Sequence, residues 1–128
     1  MKPSNQWPSD WRIGINPSRE TTVAEELLRI FTRFWETLGL NEKSKTQKNR
    51  YANSLHALGG YLVEQAISEE YRSMPIRELL FTHIDENEGP LIHQDNGTWQ
   101  AEIDMVCRKL YKYLKEMEGK WQKTTQSS

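Results

Sequence analysis

The sequence predicts an all-α fold: a four-helix bundle-like domain with an extended N-terminal arm. Three observations lead there. Apolar residues recur at spacings of three and four along four separate stretches. These stretches open on capping signals or on a proline. No stretch shows the alternation of apolar and polar residues that marks a half-buried strand.

Residues 1–19 form the arm. Pro3, Pro8 and Pro17 argue against a helix there. The same segment carries Trp7, Trp11, Ile13 and Ile15. Such residues either strap an arm across a core groove or reach into a partner. Trp7 and Trp11, with Trp121 near the other end, are therefore candidate partner-binding residues.

The helical domain spans residues 20–122. Its first helix is expected near Thr22, which with Glu25 spells a capping box. Val23, Leu27, Ile30, Phe31, Phe34 and Leu38 make one apolar stripe, which Trp35 widens, and Gly39 suits its end. The second helix runs from Ser44, boxed with Gln47, to Ile67, on Tyr51, Leu55, Leu58, Leu62 and Ala66. Gly59-Gly60 interrupts it, by a kink or by close approach of a neighbouring helix.

Pro75 suits the first turn of a third helix, with Ile76, Leu79, Leu80 and Ile84 inside and Gly89-Pro90 as its end. After an Asn96-Gly97 turn, the fourth helix starts at Thr98. Trp99, Ile103, Val106, Leu110, Tyr113 and Met117 form a sustained seam, for a bundle or for a coiled-coil dimer. Residues 123–128 are read as a frayed tail.

At 128 residues the chain suits one domain. The apolar fraction is 36% and mean hydropathy −0.83, which is polar, but five Trp, five Tyr and three Phe supply large apolar areas. No stretch reaches the roughly 20 apolar residues of a membrane span. Residues 1–8 lack the apolar run of a secretion signal, and Cys107 is the only cysteine. A cytoplasmic protein without membrane association or cofactor is expected.

Net charge is −1, unevenly distributed. Residues 1–63 carry +3, residues 64–104 carry −8 and residues 105–128 carry +4. Lys43, Lys45, Lys48 and Arg50 crowd the start of the second helix, against a dipole that favours anions there. Arg108, Lys109, Lys112 and Lys115 lie on the outer side of the fourth, with Tyr111 among them. These eight are candidate nucleic-acid-binding residues, since a phosphate backbone would relieve their repulsion.

Two His-x-Asp triplets, His83/Asp85 and His93/Asp95, supply imidazole and carboxylate groups suited to a divalent metal. Residues two apart on a helix do not share a face. The segment also fails as an EF-hand loop, because it lacks a glutamate at the twelfth position from Asp85. No phosphate loop, nucleophile elbow or His-Glu-x-x-His is present.

Ser44-Lys45-Thr46 followed by Tyr51, Leu55, Leu58, Tyr61 and Leu62 resembles the first helix of the core-binding, SAM-like domain of tyrosine recombinases. The resemblance covers residues 44–62 and implies a DNA-clamping helical module, without the catalytic domain of that family. The residues themselves lead first to a non-catalytic interaction or assembly module, a small subunit that self-associates or binds a protein. A nucleic-acid-binding accessory protein comes second, and a metal-dependent hydrolase around His83 and His93 third.

Overall fold

The computed structural model describes residues 2–126, with side chains through Met117. The described residues form α1 (Trp7–Asp10), α2 (Pro17–Thr37), α3 (Lys45–Ala66), α4 (Ile76–His83) and α5 (Gly97–Gln126). A 3-10 turn at Leu40–Glu42 links α2 to α3. The central helix is α3, packed against both α2 and α5, while α4 closes against α2 and α3. This is the bundle-like, all-α fold that the helical periodicities predict.

The arm departs from the extended form expected of it. Trp7–Asp10 makes one helical turn with Pro8 in its first turn, and Pro17 opens α2 in the same way. A proline there removes only an N–H that the helix leaves unpaired anyway. Two of the three prolines thus begin helices instead of excluding them.

Trp7 and Trp11 are 7% and 4% exposed. Their assignment as partner-binding residues is corrected: both rings belong to the chain's own core, 5.8 Å apart. Trp11 also meets Phe31 edge-on at 6.2 Å. Its indole Nε1 donates to the His56 carbonyl at 2.8 Å. The third candidate, Trp121, lies outside the residues whose side chains are described.

Gly59-Gly60 leaves α3 unbroken. The close approach comes from the Trp11 ring, not from a neighbouring helix. A Cβ on Gly59 would overlap the benzene part of that indole, whereas one on Gly60 would sit 3.4 Å from it. Two glycines in one helix cost about 2 kcal/mol relative to alanine. Burying an indole of 150–250 Å² contributes about 4–6 kcal/mol as an upper estimate. The ring wins.

α2 starts earlier than the Thr22–Glu25 box suggests. Asn16 caps it through its side chain, accepting from the Arg19 N–H at 3.3 Å. Thr22 lies inside the helix, its hydroxyl donating to the Ser18 carbonyl. Glu20, only 2% exposed, turns back to the preceding loop. Its carboxylate accepts four backbone N–H groups: Ile13 at 2.5 Å, Gly14 and Ile15 at 2.9 Å, and Asn16 at 2.7 Å. Gly14 supplies the positive φ (91°) that this wrap requires. Ile13 and Ile15 are left exposed on the loop.

Arg19 reaches the far end of α3. Its guanidinium donates to the carbonyls of Ala66, Tyr71 and Met74. The Ala66 carbonyl belongs to the last turn of α3, where unpaired carbonyls attract a cation.

α4 ends at His83, well before Gly89-Pro90. Ile84 is buried but extended, because the Asp85 side chain accepts the N–H groups of Asn87 and Glu88 and turns the backbone away from a helix. Gln100 of α5 pins the following loop. It accepts from Ile92 and His93 N–H and donates to the Pro90 carbonyl.

The α5 seam belongs to the bundle. Ile103, Val106, Leu110 and Tyr113 are buried with Cys107 and Leu114, while Trp99 and Met117 at its ends stay exposed. α5 continues through Gln126, into the stretch read as a frayed tail.

Gly59→Ala is expected to lower stability by about 1–3 kcal/mol through overpacking, although alanine is the better helix former. Gly60→Ala is expected to be neutral or to stabilise by up to about 1 kcal/mol. Paired thermal melts of the two variants check this.

Four N–H donors hold the Glu20 carboxyl down to about 2 from an ordinary 4.5. A pKa lowered by folding adds stability that is fully present above the unfolded value and is lost as pH falls through the folded one. Denaturant midpoints should therefore fall between about pH 4.5 and pH 2 in the wild type. Glu20→Gln is expected to be less stable near neutral pH, with a gap that closes over the same window.

Candidate anion-binding face

A cluster of cations lies where the start of α3 faces the middle turns of α5. Gly39, at φ 64°, ends α2 in the left-handed conformation that the sequence predicts. Leu40 then buries itself, and Asn41 accepts from the Trp35 indole at 2.8 Å. These two anchors fix the 3-10 turn, so Lys43 enters α3 in extended conformation from a defined position. Ser44 caps the helix by accepting from the Gln47 N–H at 3.2 Å, as its box predicts. No acidic residue lies in the first turn of α3.

Lys43 and Gln47 here meet Lys109 and Lys112 of α5 around a cleft of about 360 Å³. Tyr51 and Tyr113 also line it, the first tilted against Phe34 and the second edge-on to it, with centroids 6.3 and 5.6 Å away. Burial pushes the Tyr51 phenol above its ordinary pKa, so it stays neutral. Glu116 is the only acidic residue of the lining. Lys109 and Lys112 also line, with Arg108, Tyr111 and Lys115, a broader depression of about 590 Å³ that includes the acids Glu86 and Glu116.

The structure thus brings Lys43 to Arg108, Lys109, Lys112 and Lys115, which neighbour one another on α5 but are far from Lys43 in sequence. Two of the five are partly engaged. Arg108 donates to the Asn87 carbonyl at 3.1 Å, and the Lys115 ammonium lies 5.3 Å from the Phe81 ring centre and 5.9 Å from that of Tyr111. Tyr111 itself packs edge-on against Phe81. The remaining candidates do not join. Lys45 and Lys48 lie outside both linings, and Arg50 pairs with Glu102 at 3.5 Å.

The two His-x-Asp triplets are not assembled. Among the described residues no group of three or more His, Cys, Asp and Glu is placed to hold a metal ion. His83 turns its Nδ1 to the Leu79 carbonyl at 2.9 Å and sits between the rings of Tyr61 and Tyr71. Asp85 caps its own turn, and those N–H donors lower its pKa. His93 packs edge-on against Trp99 at 5.2 Å. Asp95 is exposed. The metal assignment of His83, Asp85, His93 and Asp95 is corrected accordingly: two of these side chains hold backbone groups and a third packs on a ring.

A second cleft escapes the sequence reading. Asn53, Ser54 and Ala57 of α3 enclose about 270 Å³ with His93, Trp99, Glu102 and Ile103. Trp99 is 56% exposed there. Periodicity assigns Trp99 to the seam, but the first turn of α5 places it at the rim. The legible signal is Asn96, whose side chain accepts from the Trp99 N–H at 3.0 Å and so starts the helix there.

The chain matches no protein-family model, no curated protein and no solved structure. The likeness to the recombinase core-binding domain rests on α3 alone, where Tyr51, Leu55, Leu58 and Leu62 are core residues. No helix among the described residues is long and apolar enough to cross a membrane.

Cys107 lies buried with the Gly89 backbone pressed against its sulfur. Burial, and then the Asp104 carboxylate, push its thiol up to about 12. Thiolate is the reactive form. The folded protein is therefore expected to resist a thiol-specific disulfide reagent at about pH 8 and to react once unfolded, read as absorbance of the released thiol.

Proposed function

We propose that the chain is a non-catalytic helical binding module whose partner is a nucleic acid. Its backbone would lie on the face shared by Lys43, Lys109 and Lys112. The observation that carries this reading is their convergence on one cleft from two helices, flanked by Arg108 and Lys115. Like charges gathered on an exposed surface repel one another, and a phosphate backbone removes that repulsion while releasing counterions.

The expectation of a protein partner has lost two of its supports. Trp7 and Trp11 are packed inside the chain, and so is the middle of the α5 seam. Two of the candidate metal ligands of the sequence are also engaged in the fold, Asp85 on backbone N–H groups and His83 on a backbone carbonyl. Lys43, Lys109 and Lys112 on the basic face have no such role among the described contacts.

Fluorescence anisotropy of labelled oligonucleotides across a salt series tests the proposal. Affinity should fall steeply with salt. Neutralising Lys43, Lys109 and Lys112 together to glutamine should weaken binding across sequences and lower the log–log salt slope by about 2 units, at about 0.7 per contact for a single strand. Absence of binding at low salt, or an unchanged slope in the triple variant, overturns it.

A further inference from the structure

The basic cleft and the Trp99 cleft are separate, but both open on the groove between α3 and α5. Lys43, Gln47 and Tyr51 face Lys109, Lys112 and Glu116, while Asn53, Ser54 and Ala57 face Trp99, Glu102 and Ile103. The start of α3 thus meets the middle of α5 and the middle of α3 meets the start of α5, so the two helices run antiparallel and both clefts lie along their shared edge. From Lys112 to Trp99 is 13 positions on α5, or about 20 Å at 1.5 Å per residue. At the Trp99 end, Arg50 of α3 pairs with Glu102 of α5 and offsets its charge.

We propose that this groove takes a single strand, with phosphates on Lys43, Lys109 and Lys112 and an unstacked base on the Trp99 ring. This rests on the nucleic-acid reading above and names which form of nucleic acid the face selects. A duplex keeps its bases stacked inside and offers a helix surface only phosphates and groove edges. A single strand can turn a base onto an exposed aromatic face, and stacking of that kind tolerates any base. Trp99 meets that requirement: its ring is more than half exposed, braced by the His93 edge, and set on the first turn of a long helix. The other tryptophans with described side chains, Trp7, Trp11 and Trp35, are all buried. Tyr111 is less suited, because its ring packs on Phe81 with the Lys115 ammonium nearby.

The test compares labelled DNA and RNA single strands of about 12 nucleotides with a duplex of the same length. Wild type, Trp99→Ala, Trp99→Phe and the triple lysine variant are each titrated at low salt. Wild type should prefer the single strands. Trp99→Ala should lose about ten-fold to a hundred-fold on them and leave duplex affinity unchanged, while Trp99→Phe keeps most of the single-strand affinity. Melting curves check that Trp99→Ala folds, as its exposed position leads one to expect. Equal losses on single strand and duplex in Trp99→Ala, or no wild-type preference for single strands, overturn the inference. In either case a loss on both forms in the triple lysine variant keeps the basic-face reading in place. No binding of any oligonucleotide overturns both.

Discussion

The Trp11 indole lying across Gly59 and Gly60 is the contact on which the rest of the architecture depends. It is a polar as well as an apolar contact, because Nε1 donates to the His56 carbonyl of the same helix. Around it His56 packs edge-on against Trp7 and meets Asp10 at 3.1 Å. One turn of helix is thereby fastened to the middle of α3. Four residues of helix have no stability of their own in water. α1 exists because its two tryptophans are buried, and not the reverse.

The same logic governs the loops. A small helical protein has no sheet to satisfy the backbone of its connections, yet unpaired polar groups taken out of water cost about 1–3 kcal/mol each. Here single helical side chains do that work at three places. Glu20 gathers the amides of residues 13–16, Arg19 the carbonyls that follow α3, and Gln100 the backbone of residues 90–93. No buried side-chain nitrogen or oxygen among the described residues lacks a partner. A charged residue in this chain is therefore first a candidate for holding backbone. Only those left over, acids and lysines alike, are candidates for function, and of these the lysines beside the α3–α5 cleft converge.

This division explains what the sequence reveals and what it hides. Stripes such as Leu27, Phe31 and Phe34, or Leu55, Leu58 and Leu62, read correctly because helical period and burial are local matters. So do Gly39 and Ser44, whose roles are set by one turn of backbone. Glu20 is not legible as a loop anchor, because nothing nearby says that its carboxylate turns backward; Thr22 and Glu25 offer an equally good capping box. Asp85 ends α4 through its own side chain, and Gly89-Pro90 only looks like the terminator. The candidate face is half legible. Each basic cluster is visible, but that Lys43 joins Lys109 and Lys112 while Arg50 turns to Glu102 depends on how α3 and α5 pair.

That pairing also resolves the apparent conflict between a net charge of −1 and a basic binding face. The acidic block of residues 64–104 lies between two basic blocks in sequence. Because α3 and α5 run antiparallel, the flanking blocks come together at one end of their groove. Of the middle block's acids on the loop after α4, Asp85 is engaged with its own backbone, while Glu86 lines the depression beside Arg108 and Lys115. Exposed charges interact weakly beyond about 10 Å at ordinary ionic strength. A ligand at the cleft therefore responds mainly to Lys43, Lys109, Lys112 and Glu116, and hardly to the sum over the chain. Glu116 and Glu102 sit within the groove itself, and the first has no described ion-pair partner while the second has Arg50. The basic end of the groove is thus weakened by one acid and the Trp99 end is nearly neutral, so in the proposed binding mode affinity along it would not come from charge alone. There the Trp99 ring would supply an interaction that neither salt nor the acids diminish, which is why the proposal joins it to the lysines.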